Sequence, residues 1–179
     1  MSALAFVLAF GDTENKEWIS YSELSKNSYT SEFALGEDYL PHATIVQFRG
    51  SVGDANMIWK EATSKGLNGT IEVVAAGMCF LPAPDNSEVW IEVPFLKSEA
   101  LSQLQDSLLG LDSLAGREIL NGCGDSFRPH VTLGYTSEEA VLRVSGLDLP
   151  GSLLRRKFTA RVALADTGPH YSVPRILHG

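Results

Sequence analysis

The sequence predicts an α+β domain built mainly from antiparallel strands, and three observations predict it. Helical and extended segments follow one another without strict β–α alternation, which disfavours a wholly parallel sheet. The 179 residues, 44% of them hydrophobic and 20% charged, suit a single globular domain over residues 1–179. A short pattern, Pro-His-x-Thr followed by an aliphatic residue, occurs twice, each time where a strand is expected to begin.

The first third of the chain contains two predicted strands and two predicted helices. The apolar run over residues 3–10 is typical of a central strand. Residues 12–39 are mostly polar, and we expect a long loop there with a short helix over residues 19–25. A strand over residues 43–48 follows. Apolar residues spaced for one buried face, with a capping Asp and a terminal Gly, predict a helix over residues 54–65.

The remainder of the chain contains two further helices and four further strands. Strands over residues 70–81 and 88–95 are separated by a Pro-rich segment, residues 82–87, that predicts a hairpin loop. A leucine stripe predicts a helix over residues 98–109, and a β-branched and aromatic run predicts a strand over residues 131–135. The last predictions are an irregular segment over 110–125, a short helix over 137–144, a strand over 154–166 and an irregular tail from 167.

The repeated pattern places two histidine–threonine pairs on two strands. Because side chains alternate along a strand, His42 and Thr44 share one face, and His130 and Thr132 share a face of the second strand. The aliphatic residues between them point the opposite way and can be buried. An imidazole beside a hydroxyl supplies a proton carrier and a hydrogen-bond donor for an anion. Two such pairs that face each other would flank one anion with two proton carriers.

With this repeat, the chain resembles the two-histidine (2H) phosphoesterase superfamily, which includes 2′,3′-cyclic phosphodiesterases and bacterial 2′-5′ RNA ligase-like proteins. The matching tetrads are His42-Ala43-Thr44-Ile45 and His130-Val131-Thr132-Leu133, with the two histidines 88 residues apart. The resemblance implies a bilobal α+β fold with two mainly antiparallel sheets around a central cleft, one motif in each lobe and helices on the outside.

The resemblance also implies an activity, a metal-independent hydrolysis of a cyclic phosphate or of a 2′-5′ linkage. The cyclic phosphate would belong to a 2′,3′-cyclic nucleotide, an RNA end or a related cyclic nucleotide. His42 and His130 would be the catalytic acid and base, in an order that the sequence leaves open. Thr44 and Thr132 would donate hydrogen bonds to the phosphoryl oxygens. No cofactor and no metal are expected.

Three further residues are candidate substrate contacts. Arg128 precedes the second motif and can reach an anion. In a regular strand Phe48, like Val46, continues the cleft face of the first motif, where its ring can stack on a base. Gly134 would lie on the cleft face of the second motif, whereas Tyr135 would face the core unless a bulge re-aims it.

Two other functions are compatible with the same histidines. One is a metal-dependent hydrolase with His42 and His130 as ligands, although the chain has no His-Glu-x-x-His pattern and no Cys/His cluster. The other is a non-catalytic nucleotide-binding module, which the intact histidines and threonines disfavour. RNA ligation is a lesser alternative.

Composition restricts partners and location. A net charge of −8 disfavours binding to extended nucleic acid, so we expect a small nucleotide or an RNA end as substrate. Cys79 and Cys123 are expected to be reduced thiols of a cytoplasmic protein. The apolar start lacks a basic segment and ends too soon for a membrane span. We expect a monomer, and we expect His170 and His178 to be ordinary surface residues, with His170 and Tyr171 a weaker candidate for the cleft rim.

Overall fold

The computed structural model describes residues 3–29, 35–82, 88–143, 155–168 and 172–179 of the chain. The helices are α1 Asp12–Tyr29, α2 Ala55–Ser64, α3 Glu99–Leu109 and α4 Glu138–Arg143. The strands are β1 Ala3–Phe10, β2 His42–Arg49, β3 Thr70–Val74, β4 Cys79–Pro82, β5 Glu88–Pro94, β6 His130–Ser137, β7 Lys157–Thr167 and β8 Arg175–His178. Short 3₁₀ helices cover Val52–Asp54, Asp112–Leu114 and Gly124–Ser126.

The described strands form one open sheet of eight strands in which every pairing is antiparallel. The order is β3-β7-β1-β2-β6-β5-β4, with β8 paired to β7. The two halves of this sheet meet where β2 pairs with β6, through Ala43 and Val131. The predicted α+β fold with mainly antiparallel strands is therefore confirmed, and the two predicted sheets are halves of one continuous sheet.

Strand β1 lies inside the sheet and is buried along its whole length, as its apolar run predicts. One face of β1, with Phe6 and Leu8, contributes to the main core, in which Trp18 of α1, Ile58 of α2 and Leu101 of α3 are also buried. The opposite face, with Ala5, Val7 and Ala9, belongs to a second core built with Ala163, Ala165 and Val173. Helices thus cover one face of the sheet.

Each half of the sheet contains the same strand–helix–strand unit. In the first half, β1 leads through α1 to β2, and β1 pairs with β2. In the second half, β5 leads through α3 to β6, and β5 pairs with β6. Each motif lies at the start of the strand that follows its helix. The two motifs therefore occupy equivalent positions on neighbouring strands at the centre of the sheet.

Three predicted elements differ from the structure. The expected loop with a helix over residues 19–25 is one long helix, α1, whose buried face carries Trp18, Ser22 and Ser25. Two of those three residues are serines, so the apolar pattern is too sparse to reveal the helix. The predicted strand over 70–81 is divided into β3 and β4, since Gly77 turns the chain with φ 121°. The tail predicted as irregular contains β8.

The other predicted elements are present with small shifts of their ends. The predicted hairpin is confirmed by the pairing of β4 with β5, while residues 83–87 of its loop lie outside the described residues. His170 and Tyr171 also lie outside them. His178 is on β8, where its ring stacks on Trp59 with centroids 5.9 Å apart.

Both cysteines are half-buried free thiols. Burial raises the pKa of Cys79 and of Cys123. No helix in the described part of the chain is long and apolar enough to cross a bilayer.

Candidate active site

The first motif strand contains a β-bulge directly after its threonine. Thr44 is opposite Val7 of β1, whereas Val46 is opposite the adjacent residue, Phe6. Ile45 is therefore an extra residue with no partner of its own on β1. A bulge of this kind bends the strand and interrupts the alternation of side chains.

The second motif strand contains a bulge at the equivalent position. Thr132 is opposite Glu92 of β5, and Gly134 is opposite the adjacent residue, Ile91. Leu133 is therefore the extra residue of β6. Both motifs share this feature, so the period of two used in the sequence analysis fails after the threonine in each strand.

The bulges overturn the predictions made for residues beyond the threonines. Phe48 is 0% exposed and packs in the main core against Phe6, with ring centroids 6.1 Å apart. Val46 is likewise buried in the core, and Gly134 is buried. Phe48 is therefore not a substrate contact, and neither Val46 nor Gly134 continues the cleft face.

Two other side chains reach the cleft because of the bulges. Gln47 and Tyr135, each three residues after the motif threonine, both line the cleft. Tyr135 is thus on the cleft face, as it could be only if a bulge re-aimed it. Gln47 is a cleft residue that the sequence analysis missed.

The four motif side chains line one cleft of about 310 Å³ on the sheet face opposite the helices. Ala43 and Val131, between the two pairs of motif side chains, are partners across β2 and β6. The antiparallel direction of these strands places His42 on the Thr132 side of that pair, and His130 on the Thr44 side. The structure thus brings the two histidine–threonine pairs together about a local pseudo-twofold axis.

Both histidines are held by the same backbone contact. Nδ1 of His42 donates to the carbonyl oxygen of Leu40 at 2.8 Å, and Nδ1 of His130 donates to that of Arg128 at 2.7 Å. A carbonyl oxygen only accepts, so each Nδ1 must carry hydrogen. Proton exchange with a ligand therefore falls to Nε2 in both rings.

A buried carboxylate lies behind the second histidine. Glu92 on β5 has a side chain that is 1% exposed, and its Oε1 is 3.2 Å from Nε2 of His130. Its Oε2 accepts a hydrogen bond from Nη2 of Arg128 at 2.6 Å. Oε1 has no aligned hydrogen bond, so its contact with His130 becomes a charge interaction only when the ring is protonated.

Arg128, a candidate substrate contact, lines the cleft. Its side chain is 54% exposed while its guanidinium is anchored on Glu92. Among the cleft-lining residues that the structure describes, Arg128 is the only Lys or Arg. The cleft lining therefore contains one guanidinium next to the motif, ion-paired with Glu92, together with the carboxylate of Glu88.

Aromatic side chains line another part of the cleft. Trp90 of β5 and Tyr135 of β6 are register partners across the two strands, and Tyr39 also lines the cleft. Cross-strand partners have Cβ atoms about 4.5–5.5 Å apart, so the two side chains form a shared surface. Flat aromatic surfaces of this kind suit the face of a nucleobase.

The sequence analysis did not assign Glu88, Trp90 and Glu92 of β5 to the site, although the sequence shows that they share one face of a strand. In β5 the sequence alternates Glu88, Trp90 and Glu92 with the apolar residues Val89, Ile91 and Val93. That alternation alone places all three polar or aromatic residues on one face. Their position beside the motif required the pairing of β5 with β6.

No group of three or more His, Cys, Asp or Glu side chains that could hold a metal ion occurs among the residues that the structure describes.

Comparison with known proteins gives matches in structure but not in sequence. No protein-family model matches the chain, and no curated protein matches it. Escherichia coli LigT in complex with 3′-AMP superposes with a TM-score of 0.62 at 14% identity, covering 99% of this chain and 94% of LigT. LigT without ligand gives a TM-score of 0.56 at 16% identity, with the same coverage of both chains.

The chain has the LigT fold. A structure described as a phosphoesterase also superposes, with a TM-score of 0.53 at 15% identity over 99% of this chain and 93% of that one. The resemblance predicted from the two tetrads is thus confirmed at the level of the fold. Structural neighbours of the chain thus include LigT and a phosphoesterase.

Proposed function

We propose that this protein is a phosphodiesterase that uses two histidines as acid and base. Its substrate would carry a cyclic phosphate, in a 2′,3′-cyclic nucleotide, an RNA end or a related cyclic nucleotide, or else a 2′-5′ linkage. The observation that carries the proposal is the meeting of both histidine–threonine pairs in one cleft, about the Ala43–Val131 pair. The LigT fold supports it, as does the 3′-AMP bound in one LigT structure.

The proposed reaction is an in-line displacement at phosphorus. His42 takes a proton from water through Nε2, and the water oxygen forms a bond to phosphorus. The bond between phosphorus and the ribose oxygen breaks, and His130 gives that oxygen a proton from its own Nε2. The Thr44 and Thr132 hydroxyls donate to the non-bridging oxygens, whose negative charge grows in the transition state. The chain itself supplies every group in this step.

Glu92 is the reason for assigning the acid to His130. A neutral ring with its hydrogen on Nδ1 would leave Nε2, then an acceptor, 3.2 Å from the Glu92 carboxylate, although Nε2 is not aligned for a hydrogen bond to Oε1. Two acceptors at that distance repel, whereas a proton on Nε2 makes the contact attractive. His130 is therefore assigned the proton at the start of the reaction, and His42 the role of base.

The remaining cleft residues would hold the nucleoside. Trp90 and Tyr135 present aromatic surface, and stacking contributes about 1–3 kcal/mol per base with little sequence preference. Arg128 would bind a second charged group or the phosphate itself. With a single such cation in the described cleft lining and a net charge of −8, we propose small nucleotides or RNA ends, bound by a monomer, over extended nucleic acid.

The deciding experiment is a substrate panel with product analysis. It contains the four 2′,3′-cyclic nucleotides, an RNA with a 2′,3′-cyclic end, 3′,5′-cyclic nucleotides and a 2′-5′-linked dinucleotide. Chromatography and ³¹P NMR separate 2′- from 3′-phosphate products. Turnover of one class by the wild type, lost in His42→Ala, supports the proposal. Binding of 3′-AMP without turnover of any compound would instead indicate a non-catalytic module.

A further inference from the structure

Two buried polar side chains on the helices contact the two bulges. Ser22 of α1 and Gln105 of α3 are both fully buried, among otherwise apolar core residues. Buried polar groups in native structures have hydrogen-bond partners. Each of these two residues has one partner on a motif strand.

Gln105 donates a hydrogen bond to the bulge residue of the first motif strand, Ile45. Its Nε2 donates to the carbonyl oxygen of Ile45 at 2.9 Å, and its Oε1 accepts from the N–H of Gly124 at 3.1 Å. Asn121 also donates to Ile45 O, at 3.0 Å, and accepts from the N–H of Gln47 at 2.7 Å. The residue inserted by a bulge lacks a ladder partner, so its carbonyl needs such donors.

Ser22 does the same for the second motif strand. Its Oγ donates to the carbonyl oxygen of Leu133 at 2.5 Å and accepts from the N–H of Leu35 at 2.8 Å. Leu133 is the bulge residue of β6, as Ile45 is of β2. Both bulges are therefore held by a side chain that reaches them from a helix.

These two contacts cross between the halves of the fold. Ser22 lies on α1, which connects β1 to β2, yet it holds β6. Gln105 lies on α3, which connects β5 to β6, yet it holds β2. Each half of the molecule thus fixes the motif of the other half.

We propose that Ser22 and Gln105 are positioning residues for the reaction, a proposal that rests on the proposed function. Each donates a hydrogen bond to the carbonyl oxygen of the bulge residue that follows a motif threonine, and the same bulge sets the direction of Gln47 or Tyr135. Gln105 thereby orients the Thr44 hydroxyl, and Ser22 orients that of Thr132. A misplacement of about 1 Å in such a group can cost about 10²-fold in rate.

The first test removes each donor without changing the size of the side chain much. Ser22→Ala and Gln105→Met should each lower kcat by about 10–100-fold on the best substrate of the panel. Ser22→Thr keeps a hydroxyl and should restore most of the rate. Ser25→Ala, one turn later on α1 and also buried, and Leu108→Ala, in the core face of α3, are the controls. Both controls should keep kcat within about twofold at a temperature where all variants are folded.

The second test separates positioning from a loss of stability by double-mutant cycles. Ser22→Ala should be non-additive with Thr132→Val and additive with Thr44→Val, because Ser22 contacts the strand that carries Thr132, and pairs without a shared partner are usually additive. Gln105→Met should show the reverse, non-additive with Thr44→Val and additive with Thr132→Val. A general loss of stability would affect the pairs with Thr44→Val and with Thr132→Val alike, and would not give this crossed pattern.

The outcomes of the proposal and of the function it rests on are distinct. A wild type that turns over nothing in the panel overturns the proposed function. A wild type that is active, with Ser22→Ala and Gln105→Met as fast as the controls, overturns this inference alone. Cycles that are equally additive for both threonines overturn it as well, even if the single variants are slow.

Discussion

Nε2 of His130 lies 3.2 Å from Oε1 of Glu92, a carboxylate that is buried between β5 and the second motif. This contact belongs to the second motif, which resembles the first in sequence, in the bulge and in the backbone contact of the histidine. The pairing of β5 with β6 creates it, since Glu92 is the register partner of Thr132. It is the structural basis for giving His130 the role of acid.

Replacement of Glu92 tests that role. We expect Glu92→Gln to lower kcat by about 10–100-fold, because two opposite charges about 4 Å apart attract each other by about 1–4 kcal/mol and about 1.4 kcal/mol corresponds to tenfold in rate. KM should change less than kcat, since Glu92 contacts the histidine directly and would influence the substrate only through Arg128. Glu118→Gln, which removes one negative charge from an exposed ion pair with Arg49, is the control. Equal kcat for both variants would remove Glu92 from the mechanism.

Loss of either histidine should cost more. We expect His42→Ala and His130→Ala each to reduce turnover by about 10²–10⁴-fold, the usual range for a general acid or base. The double variant should be far less impaired than the product of the two effects, because the residues act as a unit. His178→Ala removes an imidazole that stacks on Trp59 and should be nearly neutral. A near-wild-type rate in either motif variant, with folding checked by circular dichroism, would contradict the two-histidine mechanism.

Chelation separates this mechanism from the metal hydrolase. We expect full activity after dialysis against EDTA, because the proposed acid, base and hydrogen-bond donors are all side chains of the protein. Turnover and metal content are measured on the same samples. A loss of activity that Zn²⁺ or Mn²⁺ restores would assign His42 and His130 to a metal site instead.

The pH dependence of kcat/KM should be bell-shaped. The reaction needs one neutral and one protonated imidazole, so the rate falls at low pH, where both are protonated, and at high pH, where both are neutral. Thr44→Val and Thr132→Val should lower the rate and keep the bell, while serine at either position should restore much of the rate. His42→Asn or His130→Asn should remove one limb. A flat wild-type profile from about pH 5 to 9, with chemistry rate-limiting, is the contrary result.

Glu61, which lies outside the cleft, should contribute to the dependence of the free energy of unfolding on pH. The Ser113 hydroxyl and the Lys65 ammonium, with the backbone N–H groups of Ser113 and Asp112, lower the pKa of Glu61 from 4.5 to about 2. The backbone N–H groups donate to Glu61 at 2.8 and 2.9 Å and Lys65 lies at 2.9 Å, whereas the Ser113 hydroxyl acts on Glu61 without an aligned hydrogen bond, so the N–H groups and Lys65 are the firmer contacts. These contacts fasten α2 to the 3₁₀ helix Asp112–Leu114.

The sign of that effect follows from the direction of the shift. A lowered pKa means that the folded state favours the ionised Glu61, so its stabilisation is complete above pH 4.5 and is lost as the pH falls through about 2. We expect Glu61→Gln to destabilise the protein by about 1 kcal/mol at pH 7, a modest figure because the site is partly exposed. The difference should vanish near pH 2. Urea denaturation at pH 7, 4 and 2 measures it, with the exposed Glu72→Gln as control, and a difference that is constant with pH would contradict it.

Much of the fold could be predicted because its strongest elements carry local patterns. The continuous apolar run of β1 reflects burial of both faces of the strand, and the leucine stripe of α3 reflects burial of one face of the helix. Hydrophobic periodicity shows both directly. Helix α1 could not be predicted in full, since its buried face includes Ser22 and Ser25. Both serines are buried because α1 packs on the core, and Ser22 also hydrogen-bonds to Leu133 of β6. Neither fact can be read from the local sequence.

The sequence by itself determined the four motif residues, because a repeated His-x-Thr on a strand places both side chains on one face whatever the rest of the chain does. The tertiary structure decided which of the residues that follow the threonines face the cleft. The bulges at Ile45 and Leu133 depend on how β2 pairs with β1 and how β6 pairs with β5, and no local sequence pattern encodes these pairings. Because of the bulges, Phe48 faces the core and Tyr135 faces the cleft. Glu92 joined the site for the same reason, since its distance from His130 depends on a strand pairing between segments 38 residues apart in the chain.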